Sequence, residues 1–520
     1  MPDRLPHWVA GRDGRPEPFD GDRIYRSLFA AATRAGRPDP FLARELADAV
    51  LHFVAAGDVC DPLPVAELTD TVAKVVREVG QPVIARAYQE VRPTCDADDG
   101  DAAWFGLDAA ESGRRAAAAG SVEDARQRVL TPDLRAAEAE GLLTFFDLDA
   151  PGELAGVVLP APAPGRGLVE TIEAARDRVG QYVAIDAPET SLADPSGAAA
   201  WVRELRVGLR ATGLRAVVNL NASEPPTRGP GEPSLFPNND PSHPDRTEVA
   251  AVLAEHLLEA PSEVRVDWHL GPADFVPAAR SRLLRLARWA AQAAPIAFVP
   301  DRPRQPVALA EGLDRRHRAA LAVVGVGLPR FLQRIRTERP PADANADVFD
   351  KLGSLTRLAL TAGRVRREFL RRHGRSAVRD EFFLDRARLV VVPLGLDAVA
   401  RAIAPDGRCS PYALQILHGL NAAIIRNSPH IPSVLDSLPP VAGPATPEAD
   451  STFVPPRQQL RADAALHTAV GSGTATVRLA AERPAVDEVA DLICHACQQP
   501  GLIRFRFAAP AAPRTLAADW

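Results

Sequence analysis

A short polar turn near the start of the chain has the residue types of an anion-binding site. The turn Gly11-Arg12-Asp13-Gly14 separates two short segments that can pair as a hairpin, and Arg23 follows at the start of a helical pattern. Backbone N–H groups in a tight turn and at a helix N-terminus attract anions, and arginine adds bidentate contacts to phosphate. These residues predict a phosphate-binding site.

Other reactive side chains are weaker candidates. Cys494 and Cys497 have the spacing of two zinc ligands, but no second pair exists in the sequence, and zinc needs at least three protein ligands. We expect half-buried thiols on one face of a helix instead. The remaining candidates, which have no partner at a recognisable spacing, are Cys409-Ser410, His243, His269 and His317.

Arginines are concentrated in a stretch of the second half of the chain, at Arg302, Arg304, Arg315, Arg316 and Arg318. We interpret this stretch as a solvated face, with a phosphate-binding loop as the alternative. The segment 222–245, which contains Phe236-Pro237-Asn238-Asn239-Asp240, is a long Pro/Gly/Asn loop whose role no pattern fixes.

Composition and charge exclude several classes of protein. The chain has 520 residues, 46% hydrophobic and 25% charged, which is typical of globular proteins. A net charge of −6 gives no basic footprint for nucleic acid. The sequence contains no apolar run of transmembrane length and no secretory signal pattern, and its five cysteines fit a reduced compartment. We therefore expect a cytoplasmic protein with no nucleic-acid or membrane partner.

The elements that position the polar turn follow from periodicity. We predict a hairpin from Trp8 to Phe19 and four helices, starting near Asp22, Pro40, Pro64 and Val83. The second helix has an apolar stripe of Leu42, Leu46, Val50 and Phe53, and the third a stripe of Leu68, Val72, Val75 and Val79.

Beyond an acidic linker at 93–103, helices alternate with short apolar strands. The predicted helices are Ala109–Val129 and Pro277–Ala293; the predicted strands are Val183–Asp186, Ala216–Leu220, Val264–His269, Leu321–Val326 and Arg388–Pro393. This alternation favours a mixed α/β fold.

The string VAGRDGRPEPFDGDRIYRSLFAA, three further helices and the closing RAYQEVR resemble the ATP-cone domain over residues 5–92. That domain is the regulatory nucleotide-binding module of ribonucleotide reductases and of a bacterial repressor of their genes. Arg12 keeps the second basic position of the turn, Arg23 replaces a lysine, and Gly11 stands where the family has its first lysine. The resemblance also places Val9, Glu17 and Asp20 in the nucleotide pocket.

This resemblance implies ATP or dATP as an effector, and leaves open whether Mg²⁺ accompanies it. The nucleotide would bind through Val9, Gly11, Arg12, Asp13, Gly14, Glu17, Asp20 and Arg23. Because Gly11 removes a cation, a domain that has kept its fold as a docking module and lost its ligand is the alternative.

The larger part resembles the barrel of the anaerobic, glycyl-radical ribonucleotide reductases. The resemblance is carried by LAVVGVGLPRFL, the helical FDKLGSLTRLALTAGRVRREFLRRH, RARLVVVPLGLDAVARAIAPDG, and Gly471-Ser472-Gly473-Thr474 with the following PAVDEVADLICHAC. It implies a large reductase-like α/β barrel behind a small hairpin-plus-four-helix ATP-cone. We predict domains at 1–92 and 104–520.

The residues that reductase chemistry needs are missing from this barrel. The resemblance implies a radical cysteine on a loop just before Leu321, near VPDRPRQPVALAEG, yet no cysteine occurs between Cys95 and Cys409. Gly327 replaces the family's asparagine, and the sequence ends at Trp520 without a glycyl-radical segment or its zinc cysteines. We therefore expect no catalytic residues of the reductase type.

Together these features predict a nucleotide-sensing regulator with a catalytically inactive reductase-like barrel. Its partner would be a second copy of the chain or an active reductase subunit. The alternatives are a divergent ribonucleoside-triphosphate reductase-like enzyme with an unrecognised site, and a scaffold with no ligand. A transcriptional repressor is disfavoured because no paired Cys-x-x-Cys zinc ribbon precedes the cone.

Overall fold

The computed structural model of the chain describes its architecture over sixteen segments. They are residues 5–11, 15–57, 61–90, 122–160, 167–192, 194–221, 246–259, 264–292, 294–302, 305–338, 341–379, 383–404, 409–427, 432–436, 454–479 and 484–508. The predicted linker 93–103 and the loop 222–245 lie outside them, as do His243, Arg304 and residues 109–121 of one predicted helix.

The N-terminal part is a small sheet covered by four helices. Strands β1 (Trp8–Ala10) and β2 (Pro16–Pro18) form the predicted antiparallel hairpin, and β3 (Leu63–Pro64), which the sequence did not reveal, pairs with β1 in parallel. The helices are α1 (Gly21–Arg34), α2 (Pro40–Ala56), α3 (Val65–Glu78) and α4 (Pro82–Glu90), as predicted within a few residues.

Side-chain caps explain where the first two helices begin. The Asp20 carboxylate accepts a hydrogen bond from the Asp22 N–H at 2.9 Å, and Asp39 accepts one from the Leu42 N–H at 2.8 Å. Each predicted apolar stripe is wrong at its last residue, because Phe53 and Val79 are exposed. In α2 the buried face continues at Val54 instead, and Val79 lies just after the end of α3.

The remaining helices and strands alternate along the chain. The helices are α5 (Val122–Val129), α6 (Pro132–Ala139), α7 (Leu168–Arg176), α8 (Ala198–Thr212), α9 (Arg246–Leu258), α10 (Arg280–Ala291), α11 (Leu328–Glu338), α12 (Pro341–His373), α13 (Ser376–Arg379), α14 (Phe383–Arg386), α15 (Leu396–Ile403), α16 (Cys409–Asn427), α17 (Pro456–His467) and α18 (Val486–Gln498). The strands are β4 (Leu143–Phe145), β5 (Leu154–Pro160), β6 (Val179–Asp186), β7 (Arg215–Leu220), β8 (Val264–Leu270), β9 (Ile296–Pro300), β10 (Ala308–Ala310), β11 (Leu313–Asp314), β12 (Ala319–Gly327), β13 (Arg388–Leu394), β14 (Ser433–Leu435), β15 (Ala475–Arg478) and β16 (Phe505–Ala508).

Ten of these strands close into a barrel made of two parallel halves. Strands β5 to β9 are parallel and in sequence order, and so are β12, β13 and β14; the halves meet antiparallel at β12–β5 and β16–β9. A parallel bridge between Asp436 and Ser472 joins the end of β14 to the segment before β15, which completes the ring. The predicted α/β barrel is confirmed.

A hairpin plugs the inside of this barrel. Strands β10 and β11 lie between β9 and β12 in the chain and pair with each other. Their Leu309, Ala310 and Leu313 form an apolar cluster, separate from the main core, with alternate residues of the barrel wall such as Tyr182 and Val390. We call Ala308–Asp314 the finger. It occupies the position that the sequence predicted for the radical loop.

The N-terminal part packs directly on the barrel. Helix α2 lies against the 33-residue helix α12, and both parts share one hydrophobic core. The rings of Phe41 in α2 and Phe331 in α11 meet edge to face, with centroids 5.6 Å apart. Ion pairs flank this contact: Asp39 with Arg334, Glu45 with Lys351 at 3.1 Å, and Asp48 with Arg357.

A candidate nucleotide site and the centre of the barrel

The hairpin that carries the candidate anion-binding turn is held by strand pairing and by hydrogen bonds to Asp61. Val9 in β1 is paired with Glu17 in β2, and the Gly11 N–H donates to the Arg15 carbonyl at 2.9 Å, closing the turn. Asp61, next to β3, accepts from the N–H groups of His7 and Trp8 at 3.2 and 3.0 Å. Three of the predicted site residues, Arg12, Asp13 and Gly14, lie outside the described residues.

The first turn of α1 brings the other predicted site residues together. Arg23 forms an ion pair with Glu17 across the hairpin at 2.5 Å, and both side chains are about half exposed. Asp20 caps the helix and also pairs with Arg26 at 3.2 Å. Because exposed arginines can exchange a carboxylate for a phosphate at little cost, this geometry can accept an anion at the positive end of α1.

The opposite side of the same turn faces the barrel. Asp22 pairs with Arg44 of α2 at 2.9 Å and with Arg364 of the barrel helix α12. Arg44 is buried, lies over the ring of Tyr25 with 3.7 Å from its Cζ to the ring centroid, and donates to the Thr361 hydroxyl at 2.8 Å. Burial lowers the pKa of Arg44, and nearby carboxylates oppose that shift.

Sequence reasoning missed Asp22, Arg26, Arg44 and Arg364 around this turn. Arg26 stands four residues after Asp22, a spacing typical of a helical ion pair, but its carboxylate partner in the structure is Asp20. Arg364 is brought to the turn only by the packing of α12 against the N-terminal part. No local sequence pattern predicts a partner of this kind.

At the centre of the barrel, Glu311 and Gly312 form the turn at the tip of the finger. The Tyr182 hydroxyl of β6 donates to the Glu311 carbonyl at 3.2 Å. The Gly312 N–H donates to the Ser472 hydroxyl at 2.8 Å, and Arg388 of β13 donates to the Gly312 carbonyl at 2.9 Å. Gly312 has φ +67°, and a Cβ there would lie 2.5 Å from a methyl of Val390. The tip is thus held from three sides of the barrel.

Buried charges surround this tip. Arg265 of β8 pairs with Glu311 and, at 2.8 Å, with Asp267, which also pairs with Arg504 at 2.8 Å. Burial alone would raise the pKa of Glu311, but Arg265 and Arg504 outweigh it and lower it to about 2. The strand VRVDWHL alternates apolar and polar residues, a pattern typical of a strand with one polar face. That signal could have revealed Arg265 and Asp267.

A second polar cluster lies at the carboxyl ends of β6 to β9. His269 is fully buried between Asp301, 2.8 Å from Nδ1, and Asn219, 3.1 Å from Nε2. The buried Glu189 accepts from the Asn221 N–H at 2.9 Å. Burial raises the pKa of Glu189 to about 7, against the lowering effect of its backbone hydrogen bonds. His269 is therefore a core histidine, as expected.

The arginine stretch is not the solvated face that we expected. Arg302 donates to the carbonyls of Leu502 and Gln499, both at 2.5 Å, and Arg315 makes two bonds of 3.0 Å to Asp186. Only Arg316 is exposed among the described members of the stretch. Arg302 thus links the segment before the finger to the loop that precedes β16, and Arg315 links the segment after the finger to β6.

The thiols of Cys494 and Cys497 lie half buried on α18, and burial raises the pKa of both. Within the described segments, no group of three or more His, Cys, Asp or Glu side chains is placed to hold a metal ion. His317 contacts the Asp314 carboxylate at 3.2 Å.

None of the described helices is both long and apolar enough to cross a membrane.

Comparison with known proteins agrees with this architecture. The ATP cone domain family matches residues 8–94. An anaerobic ribonucleotide reductase superposes with a TM-score of 0.52 at 11% identity, covering 96% of this chain and 90% of that one. The anaerobic ribonucleotide reductase from Thermotoga maritima, solved in complex with dATP and CTP, gives 0.51 at 11% identity, covering 94% and 91%. No curated protein sequence matches. Residues 8–94 therefore form an ATP-cone domain, and the chain as a whole has the fold of the anaerobic ribonucleotide reductases.

Proposed function

We propose that this protein is a nucleotide-sensing regulator in which ATP or dATP binds the ATP-cone and the barrel performs no radical chemistry. Its two functional parts are residues 1–92 and 104–520, joined by the linker 93–103. The nucleotide acts by binding two states of the protein, or of its complex, with different affinity. A second copy of the chain or an active reductase subunit is the partner that this role requires.

The single observation that carries the proposal is the tip of the finger. The resemblance to reductases calls for a cysteine there, and this chain has Glu311 and Gly312. The carboxylate of Glu311 is neutralised by Arg265, and the tip backbone is bonded to Tyr182 and Ser472. The Glu311 side chain is paired and buried and cannot form a thiyl radical, so we assign the finger a structural role in filling the barrel.

The ATP-cone supplies the nucleotide part of the proposal. Arg23 lies beside the positive end of α1, and its partner Glu17 is half exposed, so that a triphosphate can replace the carboxylate. The turn Arg12–Gly14, by resemblance, contributes backbone N–H groups and a second guanidinium. A Mg²⁺ ion bound with the triphosphate would reduce the repulsion from Glu17 and Asp20.

Isothermal titration of ATP and dATP into the full chain tests this function. We expect binding in the micromolar range, weakened roughly tenfold by Arg23→Ala because one charge-assisted phosphate contact is lost. Arg77→Ala, an exposed arginine at the end of α3, is the control and should bind like the wild type. If the wild-type chain binds neither nucleotide, the domain is a docking module and the proposal is wrong.

A further inference from the structure

We propose that Arg364, a residue of the barrel, completes the nucleotide site of the ATP-cone and reports its occupancy to the barrel. This inference rests on nucleotide binding by the cone and names a residue that lies outside the cone domain. Four features around the first turn of α1 support it: the carboxylate that two arginines share, the unequal burial of those arginines, the nearness of Arg364 to Asp20, and the remaining contacts of the interface.

Two arginines share one carboxylate at this turn. Arg23 is paired with Glu17, and Arg26 with Asp20, whereas Arg44 and Arg364 share the single carboxylate of Asp22. Asp48 and Asp133 also lie within electrostatic reach of Arg44. Arg44 therefore keeps carboxylates around it if Arg364 is released from Asp22, and the helix dipole favours an anion at the N-terminus of α1.

Arg364 is the member of the shared pair that can leave it. The Arg44 side chain is 2% exposed and its guanidinium is held by Asp22, Thr361 and the Tyr25 ring, whereas the Arg364 side chain is 46% exposed. When Arg364 turns away, Asp22 keeps Arg44 as its partner. No buried charge is then left unpaired, which removes the main cost of breaking a buried ion pair.

Arg364 also lies close to the candidate site itself. Its guanidinium contacts Asp22, which stands two residues after Asp20 in the first turn of α1. Burial lowers the pKa of Arg364, and the carboxylate of Asp20 opposes that shift. Asp20 is the N-cap of α1 and stands three residues before Arg23. Arg364 therefore approaches the same helix end.

The rest of the interface stays in place when Arg364 moves. Asp39, Glu45 and Asp48 of the cone keep their partners Arg334, Lys351 and Arg357, and the Phe41–Phe331 contact is apolar. Exchange of Arg364 from Asp22 to a phosphate oxygen thus changes one contact of α12 without undocking the cone. Helix α12 packs on β12 and β13 and carries the change into the barrel.

The test is titration of ATP and dATP into full-length Arg364→Gln, with Arg357→Gln as the matched control. Arg357 lies about two turns earlier on α12 and also pairs with a cone carboxylate, Asp48, but not at the first turn of α1. We expect Kd to rise roughly tenfold in Arg364→Gln, to recover partly in Arg364→Lys, and to change less than about twofold in Arg357→Gln. A mere docking role would affect both glutamine variants alike and would overturn the inference.

Hydrogen exchange of the same proteins gives the second readout. In the wild type we expect nucleotide to change the exchange of α12 amides around Arg364, and in Arg364→Gln we expect bound nucleotide to leave them unchanged. Wild-type affinity in Arg364→Gln would overturn the inference while leaving the proposed function intact. Absence of nucleotide binding by the wild type would overturn both.

Discussion

Glu189 is a buried carboxyl group held in place by an unusual local backbone. It lies after β6 with almost no exposed surface, and Ala187, two residues before it, has a left-handed φ of 50°. Strained, buried positions of this kind persist only where the surrounding structure fixes them. Here the Asn221 N–H, itself on a residue with φ 57°, supplies the bond that fixes Glu189.

The raised pKa of Glu189 predicts a pH-dependent stability. Its folded value of about 7 exceeds the ordinary value of 4.5, so the folded protein keeps a proton that the unfolded chain has lost between these pH values. The free energy of unfolding therefore falls as pH rises from about 4.5 to 7. We expect Glu189→Gln to equal the wild type at pH 4.5 and to exceed its free energy of unfolding by roughly 3 kcal/mol at pH 8.

Urea denaturation at pH 4.5, 6 and 8 measures this effect. Glu248→Gln replaces a half-exposed carboxylate on α9 and serves as the control, whose pH profile should parallel the wild type. Parallel profiles for Glu189→Gln and the wild type would show that Glu189 titrates at its ordinary pKa in the folded protein.

At the scale of elements, the finger hairpin contacts both an apolar and a charged side of the barrel interior. Leu309, Ala310 and Leu313 fill the apolar side of the barrel, while Glu311 reaches the charged side formed by Arg265 and Arg504. A network of this kind, once complete, is costly to disturb because removing one member leaves the others buried without a partner.

The finger gives the second stability prediction. We expect Glu311→Gln, which keeps the shape and removes the charge, to lower the free energy of unfolding by about 3 to 5 kcal/mol at pH 7. Because the pKa of Glu311 falls from 4.5 to about 2 on folding, the stabilisation is complete above pH 4.5 and is lost as pH falls towards 2. Chemical denaturation measures it, with exposed Glu204→Gln as control. A loss below about 1 kcal/mol for Glu311→Gln would contradict the role given to the network.

The elements differ in how far the sequence alone predicts them. Local signals are sufficient for α1 and α2, where Asp20 and Asp39 cap apolar stripes, and for β6, β7, β12 and β13, which were predicted from short apolar runs. The two-residue strand β3 and the bridge from Asp436 to Ser472 have no local signal, because each exists only through its pairing with a distant segment. The partnership of Asp22 with Arg364 is of the same kind.

The whole molecule is held together by the contact between the cone and the barrel. Nucleotide binding in the cone can affect the barrel only while this contact is formed. The contact must therefore be stable enough for the two parts to unfold cooperatively. The cone and barrel share one hydrophobic core, and the ion pairs of Arg334 with Asp39 and Arg357 with Asp48 lie around it. Isolated surface pairs contribute little, but pairs around an apolar contact are partly shielded from water.

This arrangement predicts that cone and barrel unfold together. We expect amides of α1–α4 and of β5–β9 to lose protection at the same denaturant concentration in the wild type. The double variant Arg334→Ala/Arg357→Ala removes two cone contacts and the half-buried pair of Arg334 with Glu140, but no apolar residue of the barrel core. The cone should therefore open first while the barrel midpoint stays nearly unchanged. Hydrogen exchange across a urea series measures both, with Arg285→Ala, whose partner Glu248 lies on the barrel surface, as control. A wild-type cone that opens well before the barrel would mean that the two parts are not coupled, and that occupancy of the cone reaches a partner directly instead of through the barrel.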